Sequence, residues 1–103
     1  MPEELGSLLP RIRKKPPGPR SLQLGKRLSR VESRNVTRLG SDFPVFWEEA
    51  RGANVLDVDG NIYVDLTGAF GVSIAGHTPG RVVEEIRAQA HRLIHGMGDV
   101  HPP

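Results

Sequence analysis

The chain has 103 residues, 37% of them hydrophobic and 25% charged, with no cysteine and a net charge of +2. That length holds one small domain at most and buries only about 60–65% of its unfolded surface, and the missing thiols exclude disulfide staples and thiolate metal sites. No run approaches the roughly 18 apolar residues that span a bilayer, and Met1-Pro2-Glu3-Glu4 lacks the basic-then-apolar layout of a secretory signal, so a cytoplasmic protein is the plain reading.

The charge is unevenly placed. Residues 1–40 carry ten basic side chains against three acidic ones, a net +7, whereas residues 41–103 carry four against nine, a net −5. A basic arm joined to an acidic folded part is expected. The organisation read from this is an extended basic Pro-rich arm over 1–20, a short helix and linker over 21–40, and a folded part over 41–103.

Residues 10–20 hold four prolines, which remove amide donors and fix φ, so an extended, largely solvated arm is predicted. A short helix follows with Ser21 as N-cap and Leu24, Leu28 and Val31 on one face. From Phe43 the pattern turns to strands: Val45–Glu48, Val55–Val58 and Ile62–Leu66. Asp59-Gly60 between two β-prone runs is a hairpin signal, because primed turns need positive φ. Three antiparallel strands in a meander are therefore predicted, with Asp59 stabilising the turn.

Thr67–Gly76 is a run of small residues with three glycines, suited to close backbone approach to another chain or a ligand. A helix then starts with Thr78 as cap and Pro79 in its first turn. Val83, Ile86, Ala90, Leu93 and Met97 repeat on one face, and Gly96 or Gly98 should end it. The fold class expected is α+β. The stop at Val100-His101-Pro102-Pro103, directly after a helix, reads as a C-terminal truncation.

The histidines His77, His91, His95 and His101 lack an accompanying acid at metal-site spacing, so helix capping and surface solvation are preferred over metal binding. The only lysines are Lys14, Lys15 and Lys26, all before the first strand. Gly68 and Gly71 lack the strand–turn–helix context of a phosphate cradle. No catalytic, cofactor-binding or metal-ligating residue is assigned to the chain.

The ordered series Asp57-Val-Asp-Gly60-Asn-Ile-Tyr63-Val-Asp65-Leu-Thr-Gly68, Gly71-Val72 and Ala75-Gly76-His77 resembles the N-terminal signature of class III aminotransferases. Phe43–Phe46 with Ala50-Arg51-Gly52 is similar to the family's preceding strand. Val82-Val83, Ile86, Gln89 and Leu93-Ile94-His95 are similar to its following helix. One departure stands out: Pro79 comes one position early, and Gly80 fills the usual proline slot.

The resemblance implies a homodimeric fold type I enzyme dependent on pyridoxal 5′-phosphate, with this segment forming part of its small domain. Such an enzyme moves an amino group between an amine or amino acid and a 2-oxo acid, and its relatives include aminomutases and decarboxylases. The segment would supply dimer contacts and cover the substrate entrance. By position, Ala69, Phe70, Gly71 and Val72 match the loop bordering the substrate pocket. The Schiff-base lysine that the cofactor requires would lie outside this chain, so the chain alone should be inactive. Two other readings use the same residues. One is a non-catalytic truncated interaction module that binds a full-length partner. The other is a basic-arm nucleic-acid binder, ranked last because no aromatic residue in 1–40 could stack a base.

Overall fold

The computed structural model describes residues 4–32 and 44–100. The predicted linker over 33–40, the domain boundary at 41, the strand onset at Phe43 and His101 lie outside the described residues. The elements in chain order are α1 (Pro19–Val31), β1 (Trp47–Arg51), β2 (Asn54–Asp57), β3 (Ile62–Val64), a single turn α2 (Gly68–Gly71) and α3 (Gly80–Arg92). This is an α+β arrangement around one three-stranded antiparallel sheet of order β1-β2-β3.

The meander forms as expected, with Val55 opposite Ala50 on one side and Tyr63 on the other. β1 begins later than the aromatic run suggested. The Phe46 N–H is turned toward Ser21 Oγ of α1 at 3.4 Å, and the β1–β2 register slips between Trp47 and Glu49. The tight turn also differs. Gly60 N–H bonds to Asp57 C=O (3.0 Å) and Asp57 N–H to Asn61 C=O (3.0 Å), and only Gly60 has positive φ, +83°. This is a three-residue loop of Val58, Asp59 and Gly60 with a left-handed third residue, not a primed two-residue turn.

Asp57, not Asp59, stabilises that turn. Its Oδ1 accepts the Asp59 and Asn61 N–H groups (2.9 and 2.8 Å), and its Oδ2 accepts Asn61 Nδ2 and the Tyr63 hydroxyl (2.9 and 2.7 Å). Burial alone would raise the Asp57 pKa, but the bonds from Asn61, Tyr63 and Asp59 outweigh it and hold the carboxyl below its ordinary value. Tyr63 is pushed up to about 12, by burial first and then by its bond to the Asp57 carboxylate.

Asp59 instead caps α1 from a distance in sequence. Its two oxygens accept the Arg20 and Ser21 N–H groups at 2.8 and 2.9 Å. Burial opposes the charge on Asp59, but these bonds and that of the Ser21 side chain win, and its pKa is lowered. The residue at the N-cap position is Gly18, which offers no side-chain cap, and Pro19 opens the helix with its φ already set. Ser21, the predicted cap, lies inside the first turn and is fully buried. A Cβ on Gly18 would overlap the Asp59 carboxyl carbon, so only glycine admits this cap. The buried side of α1 runs through Ser21, Leu24, Gly25 and Leu28, with Gly25 against Pro44 and Phe46. Val31, expected on that stripe, is 77% exposed.

The arm before α1 is extended but not freely solvated. Asn54 Oδ1 accepts the N–H groups of Gly6 (2.9 Å) and Leu8 (2.7 Å), and its Nδ2 donates to Leu8 C=O (3.0 Å). Asn61 Oδ1 accepts those of Arg13 (2.7 Å) and Lys14 (2.8 Å). Between these two anchors, Arg11 and Ile62 exchange both backbone hydrogen bonds, at 2.9 and 2.8 Å, so the arm pairs with the free edge of β3.

Among the described residues, the buried apolar side chains are Val55 and Ile62, while Ser21, Asn54, Asp57, Asp59 and Asn61 are buried and polar. Satisfied polar groups, not an oily centre, hold this half together. α3 lies wholly exposed, so its apolar stripe finds no cover within the described residues. It starts at Gly80 behind an extended Pro79 and ends at Arg92, short of Gly96. Thr78, the predicted cap, adopts φ +46° and its hydroxyl donates to Ala50 C=O (3.0 Å). The helix therefore begins one residue later than the predicted Thr78 cap and Pro79 first turn.

Candidate functional site

The segment from Asp65 to His77 leaves the sheet and returns to it. Asp65 N–H still bonds to Ala53 C=O (2.8 Å), and His77 exchanges both backbone bonds with Gly52 (2.8 and 2.9 Å). Both ends are thus fixed to the β1–β2 connection. Between them, Gly68, Ala69, Phe70 and Gly71 have φ of +57°, +50°, +58° and +82°. α2 is therefore a left-handed turn, closed by Gly71 N–H to Thr67 C=O (2.9 Å) and Ser73 N–H to Gly68 C=O (2.8 Å). The glycines adopt this backbone freely, whereas Ala69 and Phe70 each carry about 1–2 kcal/mol of steric cost.

One carboxylate offsets that cost. Asp65 Oδ1 accepts the Thr67 N–H and hydroxyl, both at 3.0 Å, and Oδ2 accepts the Ala69 N–H at 2.9 Å. The same Oδ2 lies 2.7 Å from His77 Nε2, with the side chains of Asp65 and His77 only 8% and 10% exposed. The His77 bond first, then those from Thr67 and Ala69, hold the Asp65 carboxyl down at about 2. It is ionised at neutral pH and can only accept, so the hydrogen bond is donated by His77 Nε2. The ring also meets Trp47 edge-on, with centroids 5.9 Å apart at 89°.

This corrects the sequence reading of His77, which is neither a helix-end nor a surface-solvated histidine. Its acid partner stands 12 residues earlier, a separation that no local pattern exposes. The signal available was Asp65-x-Thr67, a pattern suited to a side-chain-closed turn, followed by Gly76-His77. His91 and His95 do lie at the exposed end of α3 and beyond it. Among the described residues, no group of three or more His, Asp or Glu side chains is placed to hold a metal ion, and no helix is long and apolar enough to cross a membrane.

A recess of about 390 Å³ lies between Gly52–Ala53, Asp65–Gly68 and Gly76–His77. None of the four residues expected to border a substrate pocket, Ala69, Phe70, Gly71 and Val72, lines this recess. Phe70 is 99% exposed and Val72 86%, Gly71 is exposed and Ala69 half-buried. Leu66 and Ile74 are likewise exposed, so the loop presents four large apolar side chains outward.

The family model for Aminotransferase class-III matches residues 36–102. The chain belongs to the class III aminotransferase family. It is 42% identical over 79 residues to 4-aminobutyrate aminotransferase of Mycobacterium leprae, covering 77% of this chain and 17% of that protein. It is 39% identical over 75 residues to glutamate-1-semialdehyde 2,1-aminomutase of Thermoplasma acidophilum, covering 72% and 18%. With acetylornithine aminotransferase of Methanopyrus kandleri it shares 44% over 55 residues, or 53% and 14%. The chain thus spans less than a fifth of the length of these relatives.

Pyridoxal phosphate serves this family in general, and its imine chemistry takes an enclosed lysine. Lys14, Lys15 and Lys26 are all exposed, and none lines the recess. These residues do not fit the cofactor, and no step of its chemistry is assigned to them.

Proposed function

We propose that this chain is the substrate-side segment of a pyridoxal-phosphate-dependent, fold type I aminotransferase. The enzyme transfers an amino group between an amine or amino acid and a 2-oxo acid. Ala69, Phe70, Gly71 and Val72 border the pocket, and the outward apolar side chains of the loop and of α3 meet a second subunit in a cytoplasmic homodimer. The cofactor and its lysine belong to parts of the enzyme outside this chain.

The observation that carries the reading is the left-handed turn over Gly68–Gly71 within the family match. A backbone conformation that two non-glycine residues adopt only at a cost is retained where presenting particular side chains is worth it. Exposed Phe70, Val72, Leu66 and Ile74 are also more apolar surface than a small soluble unit ordinarily shows in one loop.

The test is a chimera in which this chain replaces the matching segment of the Mycobacterium leprae 4-aminobutyrate aminotransferase. A dimeric, pyridoxal-phosphate-loaded chimera should transaminate an amine donor with a 2-oxo acid. Phe70→Ala should raise KM for the donor several-fold with the fold intact. A chimera that folds and binds cofactor but turns over no donor contradicts the reading. One that only moves an amino group within a single substrate would favour the aminomutase relatives.

A further inference from the structure

We infer that Asp65 and His77 are positioning residues that set the left-handed turn and thereby aim Phe70 and Val72. The functional consequence rests on the proposal that Ala69–Val72 border the substrate pocket. The conformational part stands on this chain alone.

Two residues of the turn, Ala69 and Phe70, have no intrinsic reason to hold positive φ. Something outside the turn must impose it. Among the described residues, Asp65 is the one side chain bonded both to the entry of the turn, through Thr67 and Ala69, and to its exit, through His77. His77 cannot drift, because its backbone is bonded twice to Gly52 and its ring rests edge-on against Trp47. The chain from 65 to 77 is therefore a loop closed at its neck by one 2.7 Å contact, with the strained residues inside it. Neither side chain hydrogen-bonds to Phe70 or Val72, and both are about nine-tenths buried, so they act on those two side chains through the backbone.

The roles of the pair are distinct. Asp65 supplies acceptors that a carboxamide cannot fully replace, since one of its two heteroatoms would become a donor facing donors. His77 supplies a single donor at Nε2, which the side-chain amide of glutamine reproduces at similar reach. Asp65→Asn should therefore fail even though it is nearly isosteric, while His77→Gln should succeed.

The experiment uses the isotope-labelled 103-residue chain without cofactor or substrate and reads backbone couplings and amide exchange by NMR. Wild type should show the positive-φ signature at Ala69 and Phe70 and a slowly exchanging Ala69 amide. Asp65→Asn and His77→Ala should lose both, while the Val55 and Ile62 amide signals stay where they are in wild type. His77→Gln should restore the signature. Positive φ retained in Asp65→Asn or His77→Ala overturns the inference, as does a His77→Gln variant that behaves like His77→Ala. A wild-type chain lacking the signature overturns it too, because the clamp is built only from this chain's own residues. None of these readouts depends on transamination, so a failure here is distinguishable from a failure of the chimera.

Discussion

The described residues from Leu8 to Val64 and those from Leu66 to Val100 solve opposite problems. The first closes on itself, with Asn54, Asp57, Asp59 and Asn61 buried and each bonded to backbone that local structure leaves unpaired. The second turns its apolar side chains outward, along the loop at Leu66, Phe70, Val72 and Ile74 and along α3 at Val83, Ile86 and Leu93. A buried polar group must find its partner within the chain, whereas an apolar stripe can wait for another surface. Under the proposed function, the first half is the scaffold and the outward half is the working face.

If that contrast holds, the largest stability effects belong to the polar stitches. Asn54→Ala strands the N–H groups of Gly6 and Leu8 and the Leu8 carbonyl, and should cost roughly 2–3 kcal/mol in urea unfolding. A loss under about 0.5 kcal/mol, the range of ordinary surface changes, would break the comparison. Gly18→Ala comes next, because its methyl group collides with Asp59 and opens the cap on α1. About 1–3 kcal/mol is expected from the overpacking, with fewer protected amides at the start of the helix.

These two sites also mark where sequence reading runs out. The meander was legible because β-prone runs alternate with turn residues. Both longer helices were legible too, because apolar positions recur at helical spacing. The cap on α1 was not, since Asp59 acts on Arg20 and Ser21 from 39 and 38 residues away and Gly18 shows only an absent side chain. The stitches at Asn54 and Asn61 look in sequence like ordinary turn residues. The left-handed turn was hidden for a different reason: Ala69 and Phe70 carry no local preference for it, and the Asp65–His77 contact that imposes it is tertiary.

Titration sharpens the comparison next. Asp65 is lowered from 3.8 to about 2, so its stabilisation is fully present above pH 3.8 and is lost as pH falls toward 2. The Ala69 amide should accordingly stay protected at pH 4 and become unprotected near pH 2. Tyr63 is raised from 10.0 to about 12, so its contribution is complete below pH 10 and is lost as pH rises through 12. Its tyrosinate absorbance should appear near pH 12, and a midpoint near 10 would mean the Asp57 network is open.

The smallest effect is expected on the outward face. Ile86→Lys on exposed α3 should move the stability of the isolated chain by no more than about 0.5 kcal/mol, while weakening assembly of the chimera in sedimentation.

Under the proposed function, this chain supplies surface and pocket wall but not the chemistry of its family. The most direct test is to incubate the purified 103-residue chain with excess pyridoxal phosphate, desalt, record the absorbance, then reduce with borohydride and map the peptides. The account predicts no imine absorbance surviving desalting before reduction, and after it at most scattered, substoichiometric labelling of Lys14, Lys15 and Lys26. A stable imine traced to one of these lysines at stoichiometric yield would contradict it.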